Sequence, residues 1–244
     1  MKIIHIINSL KKGGAEGNLD RLIKFHKKKY KKKIDIIVIT LIDNGFYETD
    51  LKKNGVKVFS LGIKKKNNYI ELIEKITKFR KFIKRERPDI IQSWMYHSNF
   101  LSLFTPRIFS HKTFWNIRHC ILNFNMSKKT TILLSIFCGI FSRYFPKKII
   151  YNSEKSIKFH QNRHFYDKKK TILIDNGFSE KIFFSSKNER LTFRKKYKLK
   201  ETDIVLGFAG RYTREKNIDS LLLGFSKIIK NNKNVYLCMA GKNI

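Results

Sequence analysis

Residues 203–241 read DIVLGFAGRYTREKNIDSLLLGFSKIIKNNKNVYLCMAG and contain a complete strand–helix–strand pattern. DIVLGFAG (203–210) and NVYLCMAG (234–241) are short apolar runs, as expected of strands. Between them, apolar residues recur at helical spacing, namely Ile218, Leu221, Leu222, Phe225, Ile228 and Ile229. A strand, a helix and a second strand in this order predict a βαβ unit with two parallel strands.

The same alternation runs through the preceding residues. The predicted strands are KIIHII (2–7), IDIIVITL (34–41), VKVFSL (56–61), DIIQSW (89–94), TFWNI (113–117), KIIYNS (148–153) and TILID (171–175). One predicted helix begins near Gly14. Four more cover approximately residues 70–85, 97–109, 127–143 and 153–165. Continuously apolar strands are typical of a parallel sheet covered by helices on both faces, so we predict an α/β, doubly wound fold.

A charged, turn-rich stretch, SSKNERLTFRKKYKLKETD (185–203), separates these strands from the last βαβ unit. We therefore predict an N-terminal Rossmann-like domain over residues 1–184 and the first βαβ of a second one over residues 185–244. A single helix leaves most of a two-stranded sheet bare, so the second domain is expected to be incomplete.

The charge of the chain is extreme, with 53 Lys and Arg against 19 Asp and Glu and a formal net charge of +34. Such a surface attracts nucleic acid or an anionic membrane. However, 41 of the cations are lysines scattered along the chain, and no zinc finger, RNP-like strand or helix-turn-helix accompanies them. We expect no nucleic-acid partner, whereas compositional bias and membrane attraction both stay open.

Cysteine spacing and hydropathy indicate the compartment. Cys120, Cys138 and Cys238 form no CxxC pair, which favours a reduced, cytosolic setting. The N-terminal MKIIHIINSL is too short and polar for a signal peptide. TTILLSIFCGIF (130–141) is shorter than the roughly 18 residues that span a bilayer, so it is either a core helix or one that touches a membrane. We predict no transmembrane segment and a cytoplasmic location, with peripheral contact at the inner face of the membrane as an option.

Several candidate site residues follow predicted strands, where open parallel sheets bind ligands. Gly13 and Gly14 in KKGGAE (11–16) are an ordinary tight turn or a place where backbone N–H groups approach a phosphate. This segment is not G-x-G-x-x-G, and no acidic residue ends the second strand, which argues against a nicotinamide cofactor.

Two further segments, SWMYHSN (93–99) and NIRHC (116–120), also follow strands. His97 and His119 are candidates for a general acid or base, for hydrogen-bond donors to a substrate, or for polar residues without a role. Asn99 and Arg118 beside them are candidate contacts to the acceptor or another substrate.

GFAGRYTREKN (207–217) places Arg211 and Lys216 between a strand and a helix. They are either solvated charges at a glycine turn or contacts to a diphosphate. Arginine offers a planar fork to phosphate oxygens and lysine a point charge. Together they would neutralise a leaving diphosphate without a metal ion.

Taken in order, these segments resemble the GT-B glycosyltransferases of family 4, which are retaining enzymes with nucleotide-sugar donors. The resemblance is carried by GGAE (13–16), RPDIIQSW (87–94), IRH (117–119), YNSEKS (151–156), DNGFSEKIF (175–183) and GRYTREKNIDSLLLGF (210–225). It implies two Rossmann-like domains that face a cleft, with the acceptor held mainly by the first and the donor by the second.

The resemblance also implies roles for individual residues. Arg211 and Lys216 match the donor-diphosphate contacts, Gly13 and Gly14 the phosphate contact of the N-terminal domain, and His119 the active-site histidine. Transfer would occur with retention on the front face of the sugar, assisted by the leaving diphosphate. No cofactor other than the nucleotide-sugar co-substrate and no metal ion are expected. The acceptor would be a glycan or glycolipid of cell-surface polysaccharide or lipopolysaccharide.

One departure from the family keeps alternatives open. Family members continue for well over a hundred residues after the strand that matches YLCMAG (236–241), through an E-x7-E segment that binds the donor sugar. The chain is therefore either a glycosyltransferase in truncated form, or an inactive remnant that binds a nucleotide or a membrane without turnover. A third reading is another GT-B nucleotide-sugar enzyme, such as an epimerase.

Overall fold

The described part of the computed structural model contains nine strands, and all of their pairings are parallel. The strands are β1 (Lys2–Ile7), β2 (Asp35–Thr40), β3 (Lys57–Ser60), β4 (Ile90–Trp94), β5 (Lys112–Ile117), β6 (Lys148–Tyr151), β7 (Thr171–Leu173), β8 (Ile204–Ala209) and β9 (Val235–Ala240). The helices are α1 (Gly14–Tyr30), α2 (Glu48–Lys53), α3 (Tyr69–Glu86), α4 (Met95–Ser102), α5 (Lys129–Phe141), α6 (Glu154–Arg163), α7 (Lys187–Lys196) and α8 (Ile218–Asn231).

The structure describes residues 1–43, 45–64, 67–106, 111–123, 127–178, 184–241 and 243–244, with residue 32 described by its backbone alone. These residues form two compact units, Met1–Gly177 and Phe178–Ile244. The division falls a few residues before the predicted boundary at 184/185, which stays a prediction. The SEKIF part (179–183) of DNGFSEKIF, one of the segments that carry the family resemblance, lies outside the described residues.

The first unit contains a seven-stranded sheet in the order β3-β2-β1-β4-β5-β6-β7. Its central strands are buried on both faces; in β1 every residue from Ile3 to Ile7 is buried. This burial explains the continuous apolar runs in the sequence and confirms the doubly wound α/β fold. One apolar core lies on the α1 face and includes Ile7, Ile23 and Trp94. Two more lie on the opposite face, against α3 and against α5.

Helix ends follow local signals in the sequence. Ser153, the residue before α6, accepts a hydrogen bond from the backbone N–H of Ser156 at 3.2 Å. Asn68 caps α3 in the same way, accepting from Glu71 N–H at 2.9 Å. At the other end of α3, Arg87 adopts a left-handed conformation with φ of 46°, and Pro88 prevents the helix from continuing.

The charged stretch 185–203 is not only a linker, because α7 occupies its first half. Ser186 caps this helix and accepts a hydrogen bond from Glu189 N–H at 3.2 Å, the pattern of a capping box. The buried guanidinium of Arg194 donates to the carbonyls of Lys200 and Asp203, and the second of these bonds is 2.9 Å long. These bonds hold the end of α7 against the turn that precedes β8.

The helix after β4 begins and ends earlier than the predicted 97–109. Met95 follows the strand directly with φ of 70°, so the chain turns from strand into helix within one residue. A left-handed conformation at a residue with a long side chain costs roughly 1–2 kcal/mol. Its neighbours Trp94 and Tyr96 are both fully buried, and they hold the corner in place.

Two helices carry apolar residues on exposed faces. Ile70, Ile73, Phe79 and Ile83 recur at helical spacing in α3, but Ile70 and Ile73 are exposed, whereas Phe79 and Ile83 are buried. On α5, Ile132 and Cys138 are buried, and an outward apolar face is formed by Leu133, Phe137, Ile140 and Phe141, with Tyr144 exposed just after the helix. The segment 130–141 is therefore a core helix on one side and an exposed apolar surface on the other.

The second unit contains α7 and the predicted βαβ arrangement, in which β8 pairs with β9 in register from Ile204–Val235 to Ala209–Ala240. Ile218 of α8 is buried, and Leu221 and Phe225 are half-buried. The rest of the predicted stripe, Leu222, Ile228 and Ile229, is exposed.

Candidate functional site

The predicted site residues of the first unit follow three neighbouring strands, β1, β4 and β5. Because these strands are parallel and adjacent, the residues after them meet at one edge of the sheet, which we call the carboxyl rim. The strand order reverses between β1 and β4, and such a switch point is where open α/β sheets bind ligands. The structure thus brings the glycine pair, the α4 segment and Arg118–His119 to this edge.

Gly13 and Gly14 form the N-terminus of α1. Gly13 has an extended backbone with φ of −167°, so neither turn geometry nor a left-handed conformation demands glycine there. A β-carbon at Gly13 would collide with the carboxylate of Glu16, whereas one at Gly14 would meet no atom within 4 Å. Gly14 therefore borders open space, and its role as a phosphate contact stays a prediction.

Arg118 is half-buried and is held by neutral partners. Its guanidinium lies 5.2 Å from the ring of Trp94. Its Nη1 donates to Asn176 Oδ1 at 2.9 Å, and its Nη2 donates to Asn116 Oδ1 at 3.3 Å. Asn176 Oδ1 also accepts from Asn18 Nδ2, which connects the arginine to α1. Burial lowers the pKa of Arg118, as expected for a cation that is poorly solvated.

His97 and Asn99 lie on α4, in different environments. Burial is the main reason why the pKa of His97 is lowered, and Lys128 adds to this effect. Asn99 is fully buried; its Oδ1 accepts from Ser93 Oγ at 2.7 Å. Contact between Asn99 and an acceptor would need local opening, so both residues stay candidate contacts only.

His119 is exposed at the end of the rim, and its backbone is anchored from below. Ser156 Oγ donates to the carbonyl oxygen of His119 at 2.6 Å. The ring of His119 lies 6.0 Å from that of Tyr96, centroid to centroid. The histidine is therefore placed where its ring reaches solvent, and its catalytic role stays a prediction.

A buried network beneath His119 was not predicted from the sequence. His160 Nδ1 is 2.7 Å from the carbonyl oxygen of Ser156, which can only accept, so this nitrogen carries the proton. Its Nε2 then accepts from the hydroxyl of Tyr96 at 2.7 Å. Burial lowers the pKa of His160 to about 4, which keeps the ring neutral. Through Ser156, the network links α4 and α6 to the backbone of His119.

A second buried histidine, His5, lies within β1. Trp94 Nε1 donates to His5 Nδ1 at 3.4 Å, which places the His5 proton on Nε2. Burial, with a smaller contribution from His26, lowers the pKa of His5 to about 3. This pair fixes the orientation of the indole on which Arg118 lies.

In the second unit, Arg211 and Lys216 belong to one loop between β8 and α8, and both are exposed. A β-carbon at Gly210 would lie 3.8 Å from Lys216 Cδ, so the lysine side chain passes close to this glycine. Asn217, the residue before α8, then has a left-handed backbone with φ of 47°. The loop presents two cations at the carboxyl end of a parallel strand, as predicted, and their contact with a diphosphate stays a prediction.

Among the described residues, no three His, Cys, Asp or Glu side chains are grouped in a way that suits a metal ion. No helix in the same part of the chain has the length and hydropathy needed to cross a bilayer.

The chain is similar in fold to several solved structures. HepE from Anabaena, in complex with UDP and glucose, aligns with a TM-score of 0.76 and 18% identity over 98% of this chain and 60% of HepE. The lipopolysaccharide outer core galactosyltransferase WaaB aligns with a TM-score of 0.62 and 14% identity over 99% of this chain and 68% of the WaaB chain. UDP-GlcNAc 2-epimerase from Methanocaldococcus jannaschii aligns with a TM-score of 0.55 and 14% identity over 100% of this chain and 66% of the epimerase chain.

These likenesses confirm the predicted GT-B type of fold, with a Rossmann-like first domain and the βαβ of a second. The chain spans 60% of the length of the HepE chain. No protein-family model matches the sequence, and no curated protein matches it.

Proposed function

We propose that the chain belongs to a glycosyltransferase that moves a sugar from a nucleotide-sugar donor to an acceptor. The observation that carries this proposal is the likeness in fold to HepE over 98% of the chain, since HepE was solved with UDP and glucose. The motif order supports family 4 and hence retention of the anomeric configuration. In such a reaction the leaving diphosphate assists the transfer on the front face of the sugar.

The donor diphosphate would be bound by Arg211 and Lys216. Both side chains are exposed on the loop that follows β8, and they supply a fork and a point charge for phosphate oxygens. Gly14 of the first unit stays a candidate phosphate contact, because a side chain is missing there and the space beside it is open. As charge develops on the leaving diphosphate, fixed cations stabilise it more than they stabilise the bound donor. This role requires no metal ion and no further cofactor.

His119 would act on the sugar, as a hydrogen-bond partner in the catalytic step. Its exposed ring and its anchored carbonyl, held by Ser156 at 2.6 Å, suit a side chain that must be oriented without being buried. His119→Ala should lower turnover while leaving the affinity for UDP unchanged. A variant that transfers sugar as fast as the parent would remove His119 from the proposal.

The acceptor would be a glycan or glycolipid, and the protein would work at the cytoplasmic face of a membrane. WaaB, which shares the fold, acts on lipopolysaccharide. The outward face of α5 is apolar, with Leu133 64% and Ile140 53% exposed, and cations flank it at Lys128, Lys129, Arg143 and Lys147. An apolar surface with a basic rim suits an anionic membrane.

The test of donor binding is calorimetric titration of the protein with UDP at constant ionic strength. Arg211→Ala and Lys216→Ala should each weaken binding by about 1.5 kcal/mol, roughly tenfold, because each removes a charged hydrogen bond. Arg214→Ala is the matched control, since Arg214 is exposed in the same loop but outside the predicted contact set. Equal losses in all three variants would indicate general attraction to a basic protein and would overturn the assignment.

A second candidate function is epimerisation of the free nucleotide sugar, which the likeness to UDP-GlcNAc 2-epimerase favours. The two functions separate in one assay. An epimerase converts the donor when no acceptor is present, whereas a transferase releases UDP in proportion to the sugar that reaches the acceptor. A protein that binds UDP and does neither would be the non-catalytic alternative.

A further inference from the structure

Arg118 is a cation that the described residues leave without an opposite charge. Its three neighbours, Asn116, Asn176 and the ring of Trp94, are all neutral. No salt bridge among the described residues includes it. A half-buried charge without a counter-ion is unfavourable for folding, so its retention at a ligand-binding edge points to a function.

The hydrogen bonds of the guanidinium leave donors for a ligand. Arginine has five N–H groups, and the structure pairs one on Nη1 and one on Nη2. One N–H on each terminal nitrogen therefore remains, and Asn176, the partner of Nη1, is itself exposed. Because Asn116 and Asn176 both hold the plane of the guanidinium, the remaining donors have fixed directions. Such a preformed fork suits a planar or tetrahedral oxyanion.

The surroundings of Arg118 have an excess of donors. Arg118 Nε, Asn116 Nδ2 and His5 Nε2 are buried atoms that have no hydrogen-bond partner in the structure. The amide of Asn116 is oriented by Arg118, which donates to its oxygen, and the proton of His5 is placed by Trp94. All three unpaired atoms are therefore donors, and two of them, Arg118 Nε and Asn116 Nδ2, belong to side chains that are hydrogen-bonded to each other. Two adjacent side chains with unpaired donors are electrostatically suited to a group that consists of acceptors.

We infer that Arg118, positioned by Trp94, Asn116 and Asn176, binds an oxyanion of the acceptor, either a phosphate or a carboxylate. This inference rests on the proposed function and adds a substrate class to it: the acceptor carries a negative charge beside the hydroxyl that receives the sugar. The diphosphate of the donor is assigned to Arg211 and Lys216 instead. Neutral acceptors are then disfavoured, because they leave the Arg118 cation unpaired.

The probes are methyl phosphate and glucuronate, with methyl glucoside as the uncharged control and UDP as the donor-side control. The readout is intrinsic fluorescence, because the chain has two tryptophans and one of them, Trp94, lies beneath the guanidinium. At constant ionic strength, at least one of the two anions should change the emission in a saturable way. Methyl glucoside should not. A response to methyl phosphate identifies the bound group as a phosphate, and a response to glucuronate identifies it as a carboxylate.

Two variants test the role of the charge. Arg118→Gln removes the cation, and Asn176→Asp keeps both hydrogen bonds of residue 176 while it supplies a carboxylate to the guanidinium. Each should weaken anion binding by about tenfold or more, and Asn176→Asp should do so without lowering the melting temperature. Arg163→Gln and Asn162→Asp are matched charge changes at exposed positions of α6 and should leave binding unchanged.

The outcomes separate this inference from the donor assignment. Equal loss in the α6 controls, no saturable response to either anion, or full binding by Asn176→Asp would each overturn it. If Arg118→Gln loses affinity for UDP as well, the guanidinium serves the donor and the acceptor assignment is wrong. If UDP fails to bind the parent protein while the anions bind through Arg118, the donor proposal fails and the oxyanion site stands.

Discussion

The carbonyl oxygen of His119 accepts a hydrogen bond of 2.6 Å from the hydroxyl of Ser156. Ser156 lies in the first turn of α6, whose cap at Ser153 fixes its position. The bond thus connects the residue predicted to act on the sugar with a helix that follows another strand. The orientation of His119 depends on how firmly that helix turn is held.

The first prediction concerns this bond. Ser156→Ala leaves the carbonyl of His119 without its donor, and we expect the free energy of unfolding to fall by about 1–2 kcal/mol. Turnover should fall further than the loss of folded protein explains, whereas the affinity for UDP should not change. Ser156→Thr keeps a hydroxyl and should restore most of the activity. Equal activity in the alanine and threonine variants would show that the bond does not position His119.

The second prediction concerns stability in acid. Burial lowers the pKa of His160 to about 4 and that of His5 to about 3, from 6.5 in the unfolded chain. Below pH 6.5 the unfolded chain binds protons that the folded chain does not, so stability is full above pH 6.5 and is lost as the pH falls toward 4. Each histidine contributes a slope of about 1.4 kcal/mol per pH unit.

Chemical unfolding between pH 7 and pH 4.5 measures this slope. His160→Gln should be less stable at pH 7 but should lose stability more slowly on acidification, because one titrating group is removed. Curves for the parent and the variant that run parallel would mean that His160 does not titrate on unfolding.

The third prediction concerns the packing of α5. A β-carbon at Gly139 would lie 1.6 Å from the carbonyl oxygen of His164, which is backbone and cannot move aside. We expect Gly139→Ala to lower the free energy of unfolding by about 3 kcal/mol. Gly224→Ala makes the same change in α8 with no atom within 4 Å, and it should raise stability by about 0.5–1 kcal/mol. If Gly139→Ala left the free energy of unfolding unchanged, α5 would have to lie further from α6 than in the structure.

The fourth prediction concerns the outward face of α5. The double variant Leu133→Ser, Ile140→Ser should reduce co-sedimentation with phosphatidylglycerol vesicles by about tenfold or more, since it removes apolar contact and no charge. Ile70→Ser, Ile73→Ser makes the same change on α3, where both residues are also exposed. It should leave vesicle binding unchanged. Equal losses in the two double variants would show that membrane attraction is not specific to α5.

Much of the fold was predictable because strands that are buried on both faces have continuously apolar sequences. KIIHII (2–7) and the other apolar runs could be assigned as strands without knowing which strands they pair with. The helix α7 was missed because its ten residues are mostly charged, and its capping box was the only local signal. The early start of α4 was missed because Met95 turns the chain at positive φ, where glycine or asparagine would have marked the turn.

Residues at the carboxyl rim were predictable from their place after strands, but their contacts were not. Arg118 and Asn176 are 58 residues apart, and nothing local indicates that they meet. The same holds for Tyr96 and His160, which are 64 residues apart. Asn99 lies on the same helix as His97, two residues further from the strand, yet its side chain is fully buried. The strand pattern determines which residues reach the edge, whereas the packing of helices determines which of them face solvent.

The strand order has a consequence for the assembly of the first unit. β1 is the third of the seven strands in the sheet, paired with β2 on one side and β4 on the other, and it is synthesised before both of them. Its register with β4 joins Ile3 to Ile90, so one edge of β1 has no partner until the chain has grown by almost ninety residues. During translation that edge is an open template for pairing with other chains. Chaperone dependence should therefore be greatest before Trp94 has emerged from the ribosome.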